Sequence, residues 1–462
     1  MILFSIFLVA ATFASGVASP TQNEEFVQRT NYYKNPIEAS QTPPGILDKG
    51  PFRLPIEDAA IFMYAVHVFM GTPPQIFKMA LDLQWNTLFI PSTDCEDYVC
   101  EHHMHFDASA SSTYVPSRES LELAYEGVIF DGWIAQDTLN IGGLAVANQS
   151  FLEVKHARSI GFLNWYNDYD GALGLAPPYT NNLPHVPSAW QGIAASGALN
   201  RKIFSIVLPQ GKRYPLSEPR TNGELILGDV PDNFDEENSI HLPLQFAPYH
   251  WGVSLESLSF GDIHHNFVNA SAYFSSTTPA VVLPKPFIDE ILSKINVNIT
   301  MLWPWVGIPC EARDELPDFT IGIGGQKITL DAYQYTFVVH IPPHDDMGDG
   351  DTGDYDACRA GVWRGEDNDV ELGFPFWENF RTVFDLEERV ILLEPVNMES
   401  KRMEERSSVV VVVVVGIAVS LIALFTSAWG SWLILSCIRK RRSHTGYEPV
   451  TEPLERQIGN YV

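Results

Sequence analysis

The chain has 462 residues, 45% of them hydrophobic and 12% aromatic, which excludes a disordered protein and leaves room for two or three packing units. Its 57 acidic side chains outnumber 29 basic ones for a formal net charge of −28, so it repels nucleic acid and anionic membrane surfaces. Thirty-two glycines and 32 prolines punctuate short runs rich in Val, Ile, Thr, Phe and Tyr, the texture of an all-β fold.

At the N-terminus ILFSIFLVAATFA is a short apolar run followed by small residues. It has the length of a secretory signal spanning 1–18 with cleavage after Ala18, although no Lys or Arg precedes it. A buried helix is the competing reading, and nothing at the flanks caps one. Residues 19–50 are polar and end in Gln-Thr-Pro-Pro-Gly, as a pro-segment or flexible lead-in would. Strand-like runs then continue from Phe52 to about Pro395. The polar stretch 211–222 marks the connection between a first half, 51–215, and a second, 216–396.

Beyond a charged stalk, 397–408, Val409 to Ile438 is uncharged and nearly all apolar, long enough to cross a bilayer as one helix. Arg439-Lys440-Arg441-Arg442 follows as a stop-transfer signal, leaving 439–462 as a cytosolic tail. With the signal segment this predicts a single-pass type I protein of the plasma membrane or endolysosomal system. In the tail, Tyr447-Glu448-Pro449-Val450 has the form of a tyrosine-based sorting signal, so a sorting adaptor is a candidate partner. Cys437, at the membrane edge, is read either as a palmitoylation site or as a small apolar membrane residue.

Cys95 and Cys100 form a close pair and Cys310 and Cys358 a wider one, read as two disulfides in an oxidising compartment. A zinc site competes, but neither pair has metal-knuckle spacing. The histidines of Glu101-His102-His103-Met104-His105 lack second-shell and fourth-ligand signals, so no metal and no cofactor is expected. Asn148, Asn269 and Asn298 open glycosylation sequons.

The stretch MYAVHVFMGTPPQIFKMALDLQWNTLFIPSTDC carries Gly71-Thr72-Pro73-Pro74-Gln75 after a first strand, then Asp82, then Leu88, Pro91 and Ser92 on the strand leaving that turn. Downstream come Phe106, Ser111-Ser112-Thr113-Tyr114, Leu121 to Tyr125, Gln136-Asp137-Thr138-Leu139, and Tyr169-Asp170-Gly171-Ala172-Leu173-Gly174-Leu175. Gly223 to Gly228, His250-Trp251 and Thr382-Val383-Phe384-Asp385 complete the series. In this order the motifs resemble those of pepsin-like aspartic proteases over about residues 54 to 396. The resemblance implies a bilobal all-β fold, one catalytic aspartate from each lobe, a substrate cleft between lobes and a β-hairpin flap bearing Tyr125. It also places Cys95 and Cys100 in the family's small disulfide loop and His103 beside it, in an exposed loop.

The same resemblance exposes departures. Peptide hydrolysis in this family needs two carboxylates sharing one proton and gripping one water. The first aspartate-threonine-glycine becomes Asp82-Leu83-Gln84, followed by Trp85 where a small hydroxyl is usual. Asp82 is retained, but Leu83 cannot make the threonine's linking bonds and Gln84 replaces a glycine that allows close backbone approach. In the second lobe Ser275-Ser276-Thr277 occupies the equivalent positions, so Ser275 stands in place of the second aspartate. The flap reads Tyr125-Glu126-Gly127-Val128-Ile129 and lacks the glycines usual at its tip. Phe374 stands where the family has an aspartate.

One literal Asp-Thr-Gly, Asp351-Thr352-Gly353, lies in HDDMGDGDTGDYD with no apolar strand leading into it; it reads as a solvated acidic loop, not a catalytic turn or a calcium loop. Three functional readings follow. The favoured one is a membrane-anchored pseudo-protease that binds a peptide or protein in its cleft without cutting it. The others are an active aspartic endopeptidase with an aberrant centre, and a structural glycoprotein whose cleft is plugged by Gln84 and Trp85.

Overall fold

In the computed structural model the described residues are 50–58, 63–160, 169–177, 186–208, 223–245, 250–294, 300–302, 305–341, 355–365 and 370–396. The signal segment, lead-in, 211–222 connection, Asn298, the Asp351-Thr352-Gly353 run, stalk, apolar span, Cys437 and Tyr447 lie outside them. Among the described residues no helix is long and apolar enough to cross a membrane.

Two kinds of strand build the first lobe. Val128–Ile141 alternates buried and less buried residues, changing phase at Ile134 and Ala135, and its pairing with Leu144–Ser159 shifts register at Asp131/Gly132 and Asp137/Leu139. Gln75–Asp82 is instead buried at six successive positions, an interior strand covered on both faces. It lies between Tyr64–Met70, antiparallel, and Gly171–Gly174, parallel. Gly171–Gly174 in turn pairs antiparallel with Phe89–Pro91, and the sheet continues through Leu144–Ser159 and Val128–Ile141 to Val115–Tyr125. Asp170 secures the entry to this arrangement: its two carboxylate oxygens accept from the backbone N–H groups of Lys78 and Met104, each at 2.8 Å.

The second lobe repeats the motif. Val370–Leu372 runs parallel to Ile263–Phe274 and antiparallel to Val281–Pro284, inside a sheet that also holds Gly252–Phe260 and Phe319–Ile323. The lobes do not part cleanly at residue 215. Phe52–Asp58, Gly223–Leu227, Ile203–Val207, Phe380–Asp385, Val390–Pro395 and Ile240–Pro243 form one antiparallel sheet drawn from both halves. Tertiary pairing overrides the composition-based boundary because Gly223–Leu227 finds its partners in the first and last strands of the fold. Phe204, Trp251 and Phe384 pack on one another at 4.8 to 5.8 Å with Phe274, and the Trp251 indole donates to the Leu175 carbonyl at 2.9 Å.

Cys95–Cys100 and Cys310–Cys358 are disulfides, which removes the zinc reading of those four cysteines. His103 is not in an exposed loop: it is buried, because its N–H bonds the Cys100 carbonyl and the chain beyond it is drawn inward by Met104 on Asp170 and Phe106 on Pro91. Phe374, read from the resemblance as standing at an aspartate position, is fully buried and sets its ring edge-on to Tyr64 at 4.7 Å.

Candidate functional site

Asp82 ends the interior strand Gln75–Asp82 and is fully buried. Its Oδ1 accepts from the backbone N–H of Gln84 at 2.8 Å and of Trp85 at 2.9 Å, an Asx turn that folds the chain back on itself. Oδ2 is buried with no hydrogen-bond partner. Burial pushes the carboxyl up to about 6, against the opposing pull of the Trp85 and Gln84 N–H groups and the Tyr125 hydroxyl.

Across the cleft, Ile263–Phe274 delivers Ser275 to the matching position. Its hydroxyl donates to Thr278 Oγ1 at 2.9 Å. Ser276 Oγ accepts from the Leu83 N–H at 2.8 Å, so one of the links between the two turns survives through backbone although the Leu83 side chain cannot contribute. Gln84 supplies a second link. Its Oε1 accepts from Thr277 Oγ1 at 2.9 Å, and its Nε2 donates to Glu371 Oε1 at 3.2 Å. Thr278 donates its hydroxyl to the same Glu371 oxygen. Ser275 is therefore one hydroxyl removed from a carboxylate that comes not from its own strand but from Val370–Leu372.

The flap is the hairpin Val115–Tyr125 with Val128–Ile141, closed by Glu126 and Gly127 at φ +47° and +78°. Two successive positive φ values suit a tight two-residue turn matched to strand twist, so this tip is short instead of glycine-rich. Tyr125 is 3% exposed, its ring edge-on to Phe89 at 5.1 Å and to Trp85 at 6.3 Å. Its hydroxyl faces Asp82 without reaching ordinary hydrogen-bond geometry. Glu126 keeps water on one side, yet the crowding around it, with the charges of Asp82 and Glu371, raises its carboxyl to about 7. Trp85 is 39% exposed and borders the cleft; of the two residues expected to plug it, Gln84 is the one that spans the lobes.

All eight cleft residues read from the sequence, Asp82, Leu83, Gln84, Trp85, Tyr125, Ser275, Ser276 and Thr277, meet here. Glu371 and Thr278 were not legible. The signal for Glu371 was a repeat: Val370-Glu371-Leu372-Gly373 matches Gly171-Ala172-Leu173-Gly174 in place and pairing, with a charge where the first lobe has alanine. Of the sequons, Asn148 and Asn269 are exposed, each at positive φ, 55° and 57°.

The eukaryotic aspartyl protease family model matches residues 63–396. Similar proteins include vacuolar protease A of Aspergillus fumigatus, 29% identical over 276 residues covering 60% of this chain and 67% of that protein. Pepsin II-2/3 of Oryctolagus cuniculus is 28% identical over 320 residues, 69% of this chain and 77% of its own. Cathepsin D of Gallus gallus is 28% identical over 282 residues, 60% of this chain and 68% of its own. Since the family match takes in both turns, the flap and the strand that carries Glu371, the chain belongs to the eukaryotic aspartyl protease family.

Proposed function

We propose that this family member is a membrane-anchored pseudo-protease whose cleft holds a peptide or protein segment without cutting it efficiently. The observation that carries the reading is Ser275: a hydroxyl engaged by Thr278 occupies the position from which the second lobe would supply a carboxylate. One carboxylate cannot be base toward water and acid toward the scissile carbonyl at once, and losing one member of an acid–base pair costs about 10²-fold to 10⁴-fold in rate. Strand edges and apolar side-chain pockets remain usable for binding. Exposed Asn148 and Asn269 are suited to carry glycans on a secreted face, and residues 409–438 serve as the anchor, with the short cytosolic tail offering Tyr447 to a sorting adaptor.

One observation favours a second reading, slow endopeptidase activity: Glu371 places a carboxylate one hydroxyl away from Ser275, as a candidate partner for Asp82. The test is cleavage of a diverse quenched-peptide pool by the full chain from pH 3 to 7, with Asp82→Asn as control and a statine-type inhibitor. Under the first reading turnover stays at the level of the control. Cleavage that the inhibitor blocks, and that Asp82→Asn and Glu371→Gln each remove, would establish the second.

A further inference from the structure

Two bridges of unlike kind join the turns of the two lobes. The inner one runs from the Leu83 N–H to Ser276 Oγ at 2.8 Å, between residues that are both fully buried. The outer one joins Gln84 to Thr277, which are only half-buried, so it is the bridge that water and a ligand reach. In the outer bridge the Gln84 carboxamide uses both of its ends. Its Oε1 accepts from Thr277 Oγ1 at 2.9 Å, and its Nε2 donates to Glu371 Oε1 at 3.2 Å.

A carboxamide carries what a peptide bond carries, a carbonyl acceptor beside an N–H donor. The second lobe therefore presents a hydroxyl donor, from the turn after Ile263–Phe274, and a carboxylate acceptor, from Val370–Leu372, spaced to hold one amide. The amide that fills this place belongs to the chain itself. Glu371 is steadied there by Thr278, whose hydroxyl donates to the same oxygen. The Gln84 amide is held less firmly than the inner bridge. Its bond to Glu371 lies at the long end of the ordinary N–H···O range. Its stem also gives up rotamer freedom to reach across from a backbone fixed by Asp82 Oδ1. A half-exposed bridge of this kind exchanges for an incoming amide, whereas the inner bridge, buried at both ends, stays.

Building on the peptide-holding reading, we propose that Thr277 and Glu371 form a recognition site for one amide of the ligand, and that Gln84 is the built-in competitor for it. On binding, the ligand amide takes the Thr277 hydroxyl and the Glu371 carboxylate, and the Gln84 side chain swings away. The same chemistry is offered by a peptide backbone and by a glutamine side chain. As long as Gln84 occupies the site, apparent affinity is lowered by the fraction of time the site stands open. Gln84 thus acts as an autoinhibitory residue of the cleft, and Thr277 and Glu371 as the groups it guards.

The experiment immobilises the full chain in detergent and measures retention of two fluorescein-labelled heptapeptide pools, randomised except at the centre, one with glutamine there and one with norleucine. Gln84→Ala is expected to retain the glutamine pool with about tenfold higher affinity than the unaltered chain. Adding Thr277→Val, which keeps the shape and drops the donor, is expected to remove about that gain. An equal gain for the norleucine pool assigns the site to a backbone amide, and no gain for it assigns the site to the glutamine side chain. Gln84→Met keeps the stem without the amide and reports the same gain where Gln84→Ala impairs folding. Equal or weaker retention by these Gln84 variants would overturn the amide proposal and leave the peptide-holding reading standing. A gain that persists beside Thr277→Val would also overturn it, since Gln84 would then block by bulk alone. No retention of either pool by chains that unfold cooperatively would overturn both.

Discussion

The two lobes carry the same turn built twice. In the first, Gly171–Gly174 lies parallel to Gln75–Asp82, with Asp82 opposite Gly174; in the second, Val370–Leu372 lies parallel to Ile263–Phe274, with Phe274 opposite Leu372, one step before Ser275. Each is flanked by an antiparallel exit strand, Phe89–Pro91 or Val281–Pro284. Both turns need a glycine at the crossing: a Cβ on Gly174 would stand 2.3 Å from the Asn86 carbonyl carbon, and one on Gly373 would stand 2.1 Å from the Ala280 oxygen. Against this shared frame the occupants differ. The first lobe has Asp82 with Ala172, the second Ser275 with Glu371. The backbone frame is maintained by close packing and ladder hydrogen bonds, none of which uses the second catalytic carboxylate. The frame therefore accommodates Ser275 at this position and Glu371 on the neighbouring strand.

The most severe way to test this equivalence is to break the crossings. Gly174→Ala and Gly373→Ala each drive a methyl into backbone and are expected to destabilise the fold by about 3 kcal/mol or more in urea unfolding. A large loss in one lobe and none in the other would end the comparison. The next effect separates frame from charge. Asp82 in the folded chain holds its proton more tightly than at the ordinary value of 3.8, so its contribution to stability is full below 3.8 and is lost as pH rises through about 6. Asp82→Asn keeps an oxygen for the Gln84 and Trp85 N–H groups without the buried charge. Its stabilising effect at pH 7.5 is expected to exceed that at pH 4 by about 2–3 kcal/mol, read from denaturant midpoints at the two pH values. A pH-independent difference would contradict the burial of that charge. The smallest effect concerns the surviving link: Ser276→Ala strands the buried Leu83 N–H and is expected to cost about 1–2 kcal/mol. Because Ser276 lies between the turns, amide exchange at Leu83 should quicken in this variant; an unchanged rate would show that the link carries no load.

How far the sequence could be read depended on whether a residue acts through its neighbours in the chain or through distant ones. Asp82, Tyr125 and the Ser275-Ser276-Thr277 run were legible through the resemblance to pepsin-like aspartic proteases, whose ordered motifs place each of them. The Cys95–Cys100 bridge was legible because its two ends are five residues apart. The burial of His103 was missed because it is produced by Asp170, sixty-seven positions downstream, holding the adjoining Met104. The mixed sheet was missed because Gly223–Leu227 looks like the start of a second lobe until Phe52–Asp58 is seen beside it. Glu371 was missed because nothing in Val370-Glu371-Leu372 announces that its side chain reaches Thr278, ninety-three residues earlier, and Gln84 in the other lobe.

Alternating and continuous apolar runs and turn residues are local properties, and by themselves they determined the β-rich fold; the family resemblance carried by the ordered motifs added the two turns and the reading of Ser275 at the second one. Which charges meet in the cleft was decided only by the tertiary structure, because electrostatic and hydrogen-bond partners are chosen by distance in space. Asp82 and Glu371 are far from Glu126 in the chain, yet their charges help raise its carboxyl.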